Sequence, residues 1–282
     1  ADPYNSGDYF TAVVSYGANG VPGGSASQRY TQDQREQILE QDGLFVIGDI
    51  VSGGPAQFTM KSITGSGRAQ IPYDPATVAA NRATLHAAIG RPSLLLQQVH
   101  GVAVCRLDDV ADGSRPVADA CVTTTTARAC EIQVADCLPV LFADRGGRAV
   151  AAAHAGWRGL AAGVLEATLA EVCTLAAVPA GEVECWLGPC IGPDRFEVGA
   201  DVAQAFGVDA TAPGLRWRAG APGKWLADLP GLARDRLRAA GVTAVAGNDG
   251  TPAWCTLTHP ARYFSYRHGT PTGRMAALIW LI

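Results

Sequence analysis

The sequence has no pair of cysteines in a Cys-x-x-Cys spacing, although its 282 residues include eight cysteines. This absence argues against a zinc ribbon and against a thioredoxin-like redox motif. Eight cysteines in a chain of this length do not make a disulfide scaffold. Several of them lie in apolar runs, where cysteine behaves as a small hydrophobic residue. We therefore predict a reducing, cytoplasmic setting.

Charged residues and long apolar runs are also scarce. The formal net charge is -4, and charged residues make up only 17% of the chain. Because no basic cluster is present, we expect no nucleic-acid partner. No apolar run reaches the roughly 18 residues that a membrane-spanning helix needs. We therefore expect no membrane partner either.

Hydrophobic residues, at 48%, are plentiful and fall in short runs separated by helical patterns. No internal repeat, low-complexity tract or linker divides the chain. Apolar runs predict strands at residues 9–16, 92–100, 138–143, 149–153 and 185–187 and from Met275 to the end. Apolar residues at helical spacing, with capping signals, predict helices at residues 74–90, 160–177 and 229–241.

The sequence R-A-V-A-A-A-H-A-G-W-R-G at 148–159 predicts a buried strand that carries His154 at its C-terminal end. A tight turn and a helix that begins near Trp157 are expected to follow. Such a strand-to-helix corner exposes a side chain at a sheet edge where ligands bind. Its free helix N–H groups also suit an anion. A structural histidine in an αβ corner is equally compatible with this pattern.

Two further apolar runs end near a possible metal ligand, His100 in Q-Q-V-H-G and Cys137 in V-A-D-C-L-P-V. Together with His154 they offer two imidazoles and one thiolate. This set is typical of a zinc site with three protein ligands and a fourth position for water or substrate. A metal held there would lower the pKa of its water toward about 7. The spacing alone does not establish the site, because a chain of this size contains other histidine and cysteine trios.

Five motifs, in order, resemble the YfiH family, also called the laccase-domain, polyphenol-oxidase or peptidoglycan-editing-factor family. They are Q-V-H-G, A-D-C-L-P-V, H-A-G-W-R-G, L-G-P-C-I-G-P and Y-F-S-Y-R-x-x-x-x-T-G-R-M. The resemblance runs from roughly Asp74 to Ile282. It is weak over residues 1–73, where the expected S-L-N-L-G segment is missing. Near the C-terminus, His268 and Gly269 replace a basic and an acidic residue of the family pattern.

The resemblance implies an α/β (α+β) fold in a single domain, 1–282, with mixed central β-sheet layers flanked by helices. It places the family's metal ligands at His100, Cys137 and His154. It implies a zinc-dependent purine nucleoside phosphorylase that cleaves adenosine, inosine and methylthioadenosine with phosphate. Adenosine deamination is also attributed to the family. The expected partners are therefore a small-molecule nucleoside and phosphate, and the expected cofactor is Zn²⁺, with Cu²⁺ as an alternative.

Four further side chains are candidates for this chemistry. Asp136 could move protons in deamination, or it could be a hydrogen-bonded carboxylate that orients a ligand. Arg158 and Arg267 could bind phosphate, although a surface salt bridge is an equal alternative for Arg158. Gln98 could hold the edge of a purine base.

Three alternatives to a zinc nucleoside enzyme remain at this point. A multicopper polyphenol oxidase needs many more imidazoles, largely in His-x-His pairs, and this chain has five histidines and no such pair. A single copper in the His-Cys-His site is still compatible with the ligands. A metal-free hydrolase would use Cys137 as nucleophile and His154 as base, but it would not need His100. A non-enzymatic protein that binds a partner in the same pocket is the third alternative.

Overall fold

The computed structural model describes residues 9–15, 83, 85–87, 89–209, 214–260, 262–268 and 274–281. Its strands are β1 Tyr9–Ser15, β2 Val104–Arg106, β3 Ala120–Thr123, β4 Cys130–Val134, β5 Leu138–Asp144, β6 Val150–Ala155, β7 Val183–Leu187, β8 Glu197–Val198, β9 Trp217–Ala219, β10 Trp225–Ala227, β11 Ala244–Gly247 and β12 Met275–Leu281. Its helices are α1 Trp157–Ala162, α2 Val164–Ala176, α3 Ala200–Ala205 and α4 Leu229–Ala239. Short 3-10 helices span Leu107–Asp109, Ala180–Glu182, Pro252–Trp254 and Tyr266–His268. Among these described residues, no helix is long and apolar enough to cross a membrane.

A six-stranded sheet in the order β11-β7-β5-β6-β3-β2 forms the centre of the fold. Each of its four middle strands is antiparallel to the next, whereas β11 and β2 at the two edges run parallel to their neighbours. The sheet is therefore mixed, which confirms the predicted fold class. The expected domain limits of 1–282 extend beyond the described residues and stay a prediction.

Two layers cover the central sheet. Helices α2 and α4 pack on one face, where Val140 and Phe142 of β5 join their hydrophobic cluster. A three-stranded antiparallel sheet, β1-β12-β4, packs on the other face, against Leu141 and Ala143. Successive residues of β5 thus point to opposite layers, and all seven are buried. This burial explains why the strand reads as a continuous apolar run rather than an alternating one.

The predicted strand at 149–153 and the helix that follows it are present with shifted limits. Strand β6 extends to Ala155, and α1 begins at Trp157 as expected. The single helix predicted at 160–177 is wrong, because Gly163 adopts a left-handed conformation with φ 104° and separates α1 from α2. Glycine takes up this conformation without the steric cost that a Cβ would add.

The strand predicted at 92–100 is also wrong. Within this segment, Ser93 and Gln97 form isolated bridges to Ala129 and Val117, and no ladder develops. Of the helix predicted at 74–90, only the last part lies within the described residues, and it ends at Gly90 with φ 70°. The strands predicted at 9–16 and from Met275 are β1 and β12, which pair with each other.

Candidate metal centre

The register of three adjacent strands brings the first residues of the centre together. Strands β5 and β6 pair so that Pro139 lies opposite His154, which places Cys137 near the end of β6. Strands β3 and β6 pair Ala120 with Ala153, so Asp119 comes opposite His154. The His154 main-chain N–H donates to the Asp119 carbonyl oxygen at 2.7 Å. Two strand ends therefore converge on the histidine.

His100, Cys137 and His154 form one cluster. Their potential ligand atoms all lie within 4.8 Å of one another. The Cys137 Sγ lies 3.7 Å from His100 Nε2, and the two imidazole rings meet edge to face with centroids 4.7 Å apart. His154 is buried, Cys137 is half-buried and His100 is exposed. The cluster is thus anchored in the sheet and open to solvent on the side of His100.

A buried carboxylate that the sequence analysis missed, Asp119, organises this cluster. Its Oδ1 accepts hydrogen bonds from His154 Nδ1 and from the His100 main-chain N–H, both at 2.8 Å. Its Oδ2 accepts from the main-chain N–H groups of Gly101 at 2.7 Å and Val99 at 3.1 Å. The signal in the sequence is a lone acid within the apolar run V-A-D-A-C-V.

The donor set fits a divalent metal. Because Asp119 occupies His154 Nδ1, the Nε2 atom of that ring is left to face His100 and Cys137. Metal-ligating histidines characteristically bind through one nitrogen while the other donates to a carboxylate. Two imidazoles and one thiolate suit zinc and also copper. The three sequence-predicted ligands can therefore hold one ion together.

The electrostatics of the cluster favour the thiolate. Burial opposes ionisation of Cys137, but hydrogen bonds with His100 and His154 lower the pKa of its thiol to about 6. Burial likewise disfavours a charge on His154, yet its hydrogen bonds with Asp119 and Cys137 raise its pKa to about 9. For Asp119, burial acts against ionisation, and the hydrogen bonds from His154 and the three main-chain N–H groups still hold its pKa below the usual value. At neutral pH and without metal, these shifts favour a thiolate on Cys137 beside an imidazolium on His154.

Two glycines of H-A-G-W-R-G leave room for the segment that carries His100. A Cβ on Gly156 would lie 2.6 Å from His100 Cδ2 and 3.1 Å from Cys137 Sγ. A Cβ on Gly159 would lie 2.8 Å from the Gly101 carbonyl oxygen. The motif therefore allows both the ligand ring and the main chain beside it to approach the β6–α1 corner.

The backbone is strained on two of the segments that supply ligands. His100 has φ 62° and Asp136, which precedes Cys137, has φ 83°. Residues other than glycine seldom adopt this left-handed region, and surrounding contacts must hold them there. For His100 those contacts are the hydrogen bonds to Asp119. Such strain is common where a chain positions functional groups.

Asp136 lies next to Cys137, but its carboxylate is engaged with other parts of the protein. The hydroxyls of Thr256 and Ser265 donate to it at 2.5 and 2.9 Å, and the Arg267 main-chain N–H donates at 3.3 Å. The Asp136 carbonyl oxygen also accepts from Ile191 N at 3.0 Å. Asp136 thus joins the start of β5 to the segment that carries Arg267.

The remaining candidates have well-defined surroundings. The Gln98 amide pairs with the main chain of Gln133, donating at 2.8 Å and accepting at 2.9 Å. The exposed Arg158 guanidinium lies over the Trp157 ring at 4.3 Å. The exposed Arg267 guanidinium donates to the Glu197 carbonyl oxygen at 3.0 Å. The roles predicted for these three residues and for Asp136 stay predictions.

Gly156→Ala tests the space requirement of the centre. The new Cβ must displace His100 or Cys137, so we expect the affinity for zinc to fall by at least about tenfold, as when a ligand's supporting contact is lost. Gly181→Ala is the matched control, because its Cβ meets no atom closer than 3.8 Å. Zinc affinity can be measured by competition with a chromophoric chelator. Equal affinities in the two variants would contradict the packing described here.

The reactivity of Cys137 tests its electrostatic environment. After metal is removed with a chelator, its alkylation by iodoacetamide should rise as the pH rises through about 6 and level off above that value, because the thiolate is the reactive form. Cys173 is the internal control, since burial raises the pKa of its thiol. Peptide mass spectrometry can follow both residues. A Cys137 rate that still climbs steeply above pH 8 would contradict the lowered pKa.

Comparison with known proteins is consistent with the motifs. Residues 67–282 match the family described as multi-copper polyphenol oxidoreductase laccase. The purine nucleoside phosphorylase of Pseudomonas aeruginosa is 47% identical over 233 residues, which are 82% of this chain and 90% of that protein. The purine nucleoside phosphorylase YfiH of Escherichia coli is 47% identical over 212 residues, which are 74% of this chain and 83% of that protein.

Solved structures of related proteins are also similar to this chain. A Neisseria meningitidis protein of the DUF152 family superposes with a TM-score of 0.68 at 42% identity and covers 84% of this chain and 93% of its own. YlmD from Geobacillus stearothermophilus has a TM-score of 0.69 at 24% identity, covers 100% of this chain and 94% of its own, and shows the same fold. The extent of these matches shows that the chain belongs to the multi-copper polyphenol oxidoreductase laccase family, the family of the YfiH proteins.

Proposed function

We propose that the protein is a zinc-dependent purine nucleoside phosphorylase that acts on adenosine, inosine and methylthioadenosine. The observation that carries the proposal is the convergence of His100, Cys137 and His154 within 4.8 Å of one another. The reaction is suggested by the relatives, which are named purine nucleoside phosphorylases at 47% identity. Products would be the free base with ribose 1-phosphate from adenosine or inosine, and with 5-methylthioribose 1-phosphate from methylthioadenosine.

The ligand set favours zinc over copper as the resident metal. Three protein ligands with a position left open are typical of catalytic zinc, whereas structural zinc sites have four protein ligands. Cys137 would bind as thiolate, His154 through Nε2, and His100 would complete the set from the solvent side. When bound, zinc supplies Lewis acidity and a water of lowered pKa. The chain itself supplies a buried wall on the side of His154 and an open approach on the side of His100.

Phosphorolysis also needs groups that hold an oxyanion. Helix α1 has only six residues, so we assign phosphate to guanidinium groups rather than to its N-terminus. Arg158 lies two residues after Gly156 and is stacked on Trp157. The Arg267 main-chain N–H donates to the carboxylate of Asp136, the neighbour of Cys137. A guanidinium can bind phosphate through two parallel hydrogen bonds, which fixes the anion's orientation as well as its position.

Asp136 and Gln98 are proposed in supporting roles. Asp136 would position the segment of Arg267, because its carboxylate already accepts hydrogen bonds from Thr256 and Ser265. Proton transfer in adenosine deamination would require Asp136 to release such contacts, so we propose deamination as a side reaction. Gln98 could hold a base edge only by giving up its two hydrogen bonds with the Gln133 main chain.

One observation supports a second candidate, a metal-free cysteine hydrolase. The lowered pKa of Cys137, about 6, and the raised pKa of His154, about 9, describe the thiolate–imidazolium pair that such enzymes use. His100 favours the metal enzyme, because a Cys–His pair needs no second imidazole in contact with the sulfur. The two candidates differ in whether metal and phosphate are required.

Metal content and phosphate dependence test the proposal together. Protein purified without added metal should contain about one zinc ion per chain, as expected for one three-ligand site, and should release adenine from adenosine only when phosphate is present. Cys137→Ser should lose both zinc and base release. Cys173→Ser, a half-buried cysteine on α2, should keep both. Atomic absorption and chromatography of the base and of ribose 1-phosphate provide the measurements.

Each other result identifies a different function. Metal-free protein with hydrolysis that does not depend on phosphate would replace the phosphorylase with the cysteine hydrolase. Copper with oxidation of phenols and no nucleoside turnover would indicate a polyphenol oxidase. Bound zinc without turnover of any of the three nucleosides would contradict the proposed reaction while leaving the metal site in place.

Substitution of the two arginines tests the phosphate site. Loss of a charged hydrogen bond costs about 1.5–3 kcal/mol, so Arg158→Gln or Arg267→Gln should raise the KM for phosphate by about tenfold or more. Zinc content should not change. Arg106→Gln is the control, since Arg106 is an exposed arginine paired with Glu171. An unchanged KM for phosphate in both site variants would place the anion elsewhere.

A further inference from the structure

We infer that Asp119 is a positioning residue for the metal centre, and that its one carboxylate orients both histidine ligands. The inference builds on the metal site of the proposed function. Asp119 is fully buried, whereas the cluster is open to solvent on the side of His100. It would act through His154, by a side-chain hydrogen bond, and through His100, by hydrogen bonds to the main chain.

The hydrogen bonds of Asp119 require a group that only accepts. Four donors surround it, two at each oxygen, and the side chain is fully buried. An ionised carboxylate has lone pairs for all four donors, whereas an amide has one accepting oxygen and one donating NH₂ group. In Asp119→Asn, the NH₂ group would therefore replace one of the two accepting oxygens whichever way the amide is turned. Either Val99 and Gly101 lose their acceptor, or the His100 N–H loses its acceptor and His154 is driven to the tautomer in which Nδ1 accepts and Nε2 carries the proton.

The side-chain hydrogen bond to Asp119 positions His154, and the main-chain hydrogen bonds position His100. The bond to His154 Nδ1 fixes the ring and its tautomer, so that Nε2 is available to the metal. The bonds to the 99–101 main chain hold His100 at φ 62°, a strained conformation that is kept only by such surrounding contacts. Asp119 thus holds both imidazoles ready before the metal binds, and this preorganisation should raise the affinity for the metal.

The chain contains a matched carboxylate at the turn between β5 and β6. Asp144 is also fully buried, and its Oδ1 accepts from the main-chain N–H groups of Arg148 at 2.6 Å and Ala149 at 2.7 Å. Its Oδ2 accepts from Gly146 N and Arg148 Nε, both at 3.0 Å. Asp144 is the last residue of β5, whereas Cys137 directly precedes the first residue of that strand. Asp144→Asn therefore makes the same chemical change to a buried turn without touching the metal ligands.

Zinc binding to the two variants and the unchanged protein tests the inference. We expect Asp119→Asn to weaken zinc binding by about 10- to 100-fold, the usual effect of losing a partner of a metal-ligating histidine. Asp144→Asn should lower the Tm but leave the zinc dissociation constant unchanged. Competition with a chromophoric chelator gives the constants. Equal zinc affinity in Asp119→Asn and the unchanged protein, or an equal loss in both variants, would overturn the inference.

A measurement on the unchanged protein does not depend on whether Asp119→Asn folds. In the zinc-loaded protein, long-range ¹H–¹⁵N spectra should show His154 protonated at Nδ1 and bound to metal through Nε2. Metal at Nδ1 would overturn the inference. Neither experiment uses a nucleoside, so a failure of the role inferred for Asp119 can be distinguished from a failure of the proposed function. Zinc constants as expected without phosphorolysis would contradict the proposed function alone, and phosphorolysis with an unaffected Asp119→Asn would contradict only the role of Asp119.

Discussion

The register of three antiparallel strands, β3, β6 and β5, is the constraint on which the centre depends. Strand β6 lies between the other two and is buried on both faces. Because side chains alternate along a strand, His154 shares its face with Val150 and Ala152, which contact the second sheet. A slip of one residue would turn His154 toward the helices and separate it from Asp119 and Cys137. The alanines at 151, 153 and 155 contribute to this constraint, since their small side chains let the helical layer pack on the opposite face.

Charge balance explains how the His100, Cys137 and His154 cluster, with the buried carboxylate of Asp119, fits at the edge of an apolar core. A divalent metal together with the Cys137 thiolate and the Asp119 carboxylate has no net charge. Without the metal, a proton on His154 takes over part of that compensation, which is why hydrogen bonding to Asp119 and Cys137 raises its pKa to about 9 despite burial. Metal and proton therefore compete for the same imidazole, and metal binding must release protons as the pH falls below that pKa. Buried ionised groups are tolerated when they are paired in this way.

The sequence predicted the parts of the centre that stand at the ends of apolar runs. His154 near the end of β6 and Cys137 before β5 could be found because buried strands read as continuous hydrophobic segments. Asp119 has the same signal, yet a lone acid before a strand has many ordinary roles. Three of its four hydrogen bonds come from residues 99–101 and the fourth from His154, which are all distant from it in sequence. The error at residues 92–100 has a similar cause. Leu94 and Leu96 of that segment are buried in the core, although the segment forms only isolated bridges with other parts of the chain. The helix break at Gly163 was missed for another reason. The apolar residues keep their helical spacing on both sides of Gly163, so the sequence does not show its left-handed conformation.

The family description refers to several copper ions, whereas the relatives at 47% identity are named phosphorylases. The residues of this chain favour phosphorolysis over multicopper oxidation. Of its five histidines, two belong to the centre, and His86 instead contacts the Ser93 hydroxyl at 2.9 Å. His259 follows a turn at residues 256–258, and His268 ends the 3-10 helix Tyr266–His268. A multicopper arrangement would need several imidazole-rich centres, and this chain does not have enough histidines to build them. The phosphate-binding roles proposed for Arg158 and Arg267 agree with this choice, because guanidinium groups suit an anionic co-substrate, whereas electron transfer from a neutral phenol would not require them.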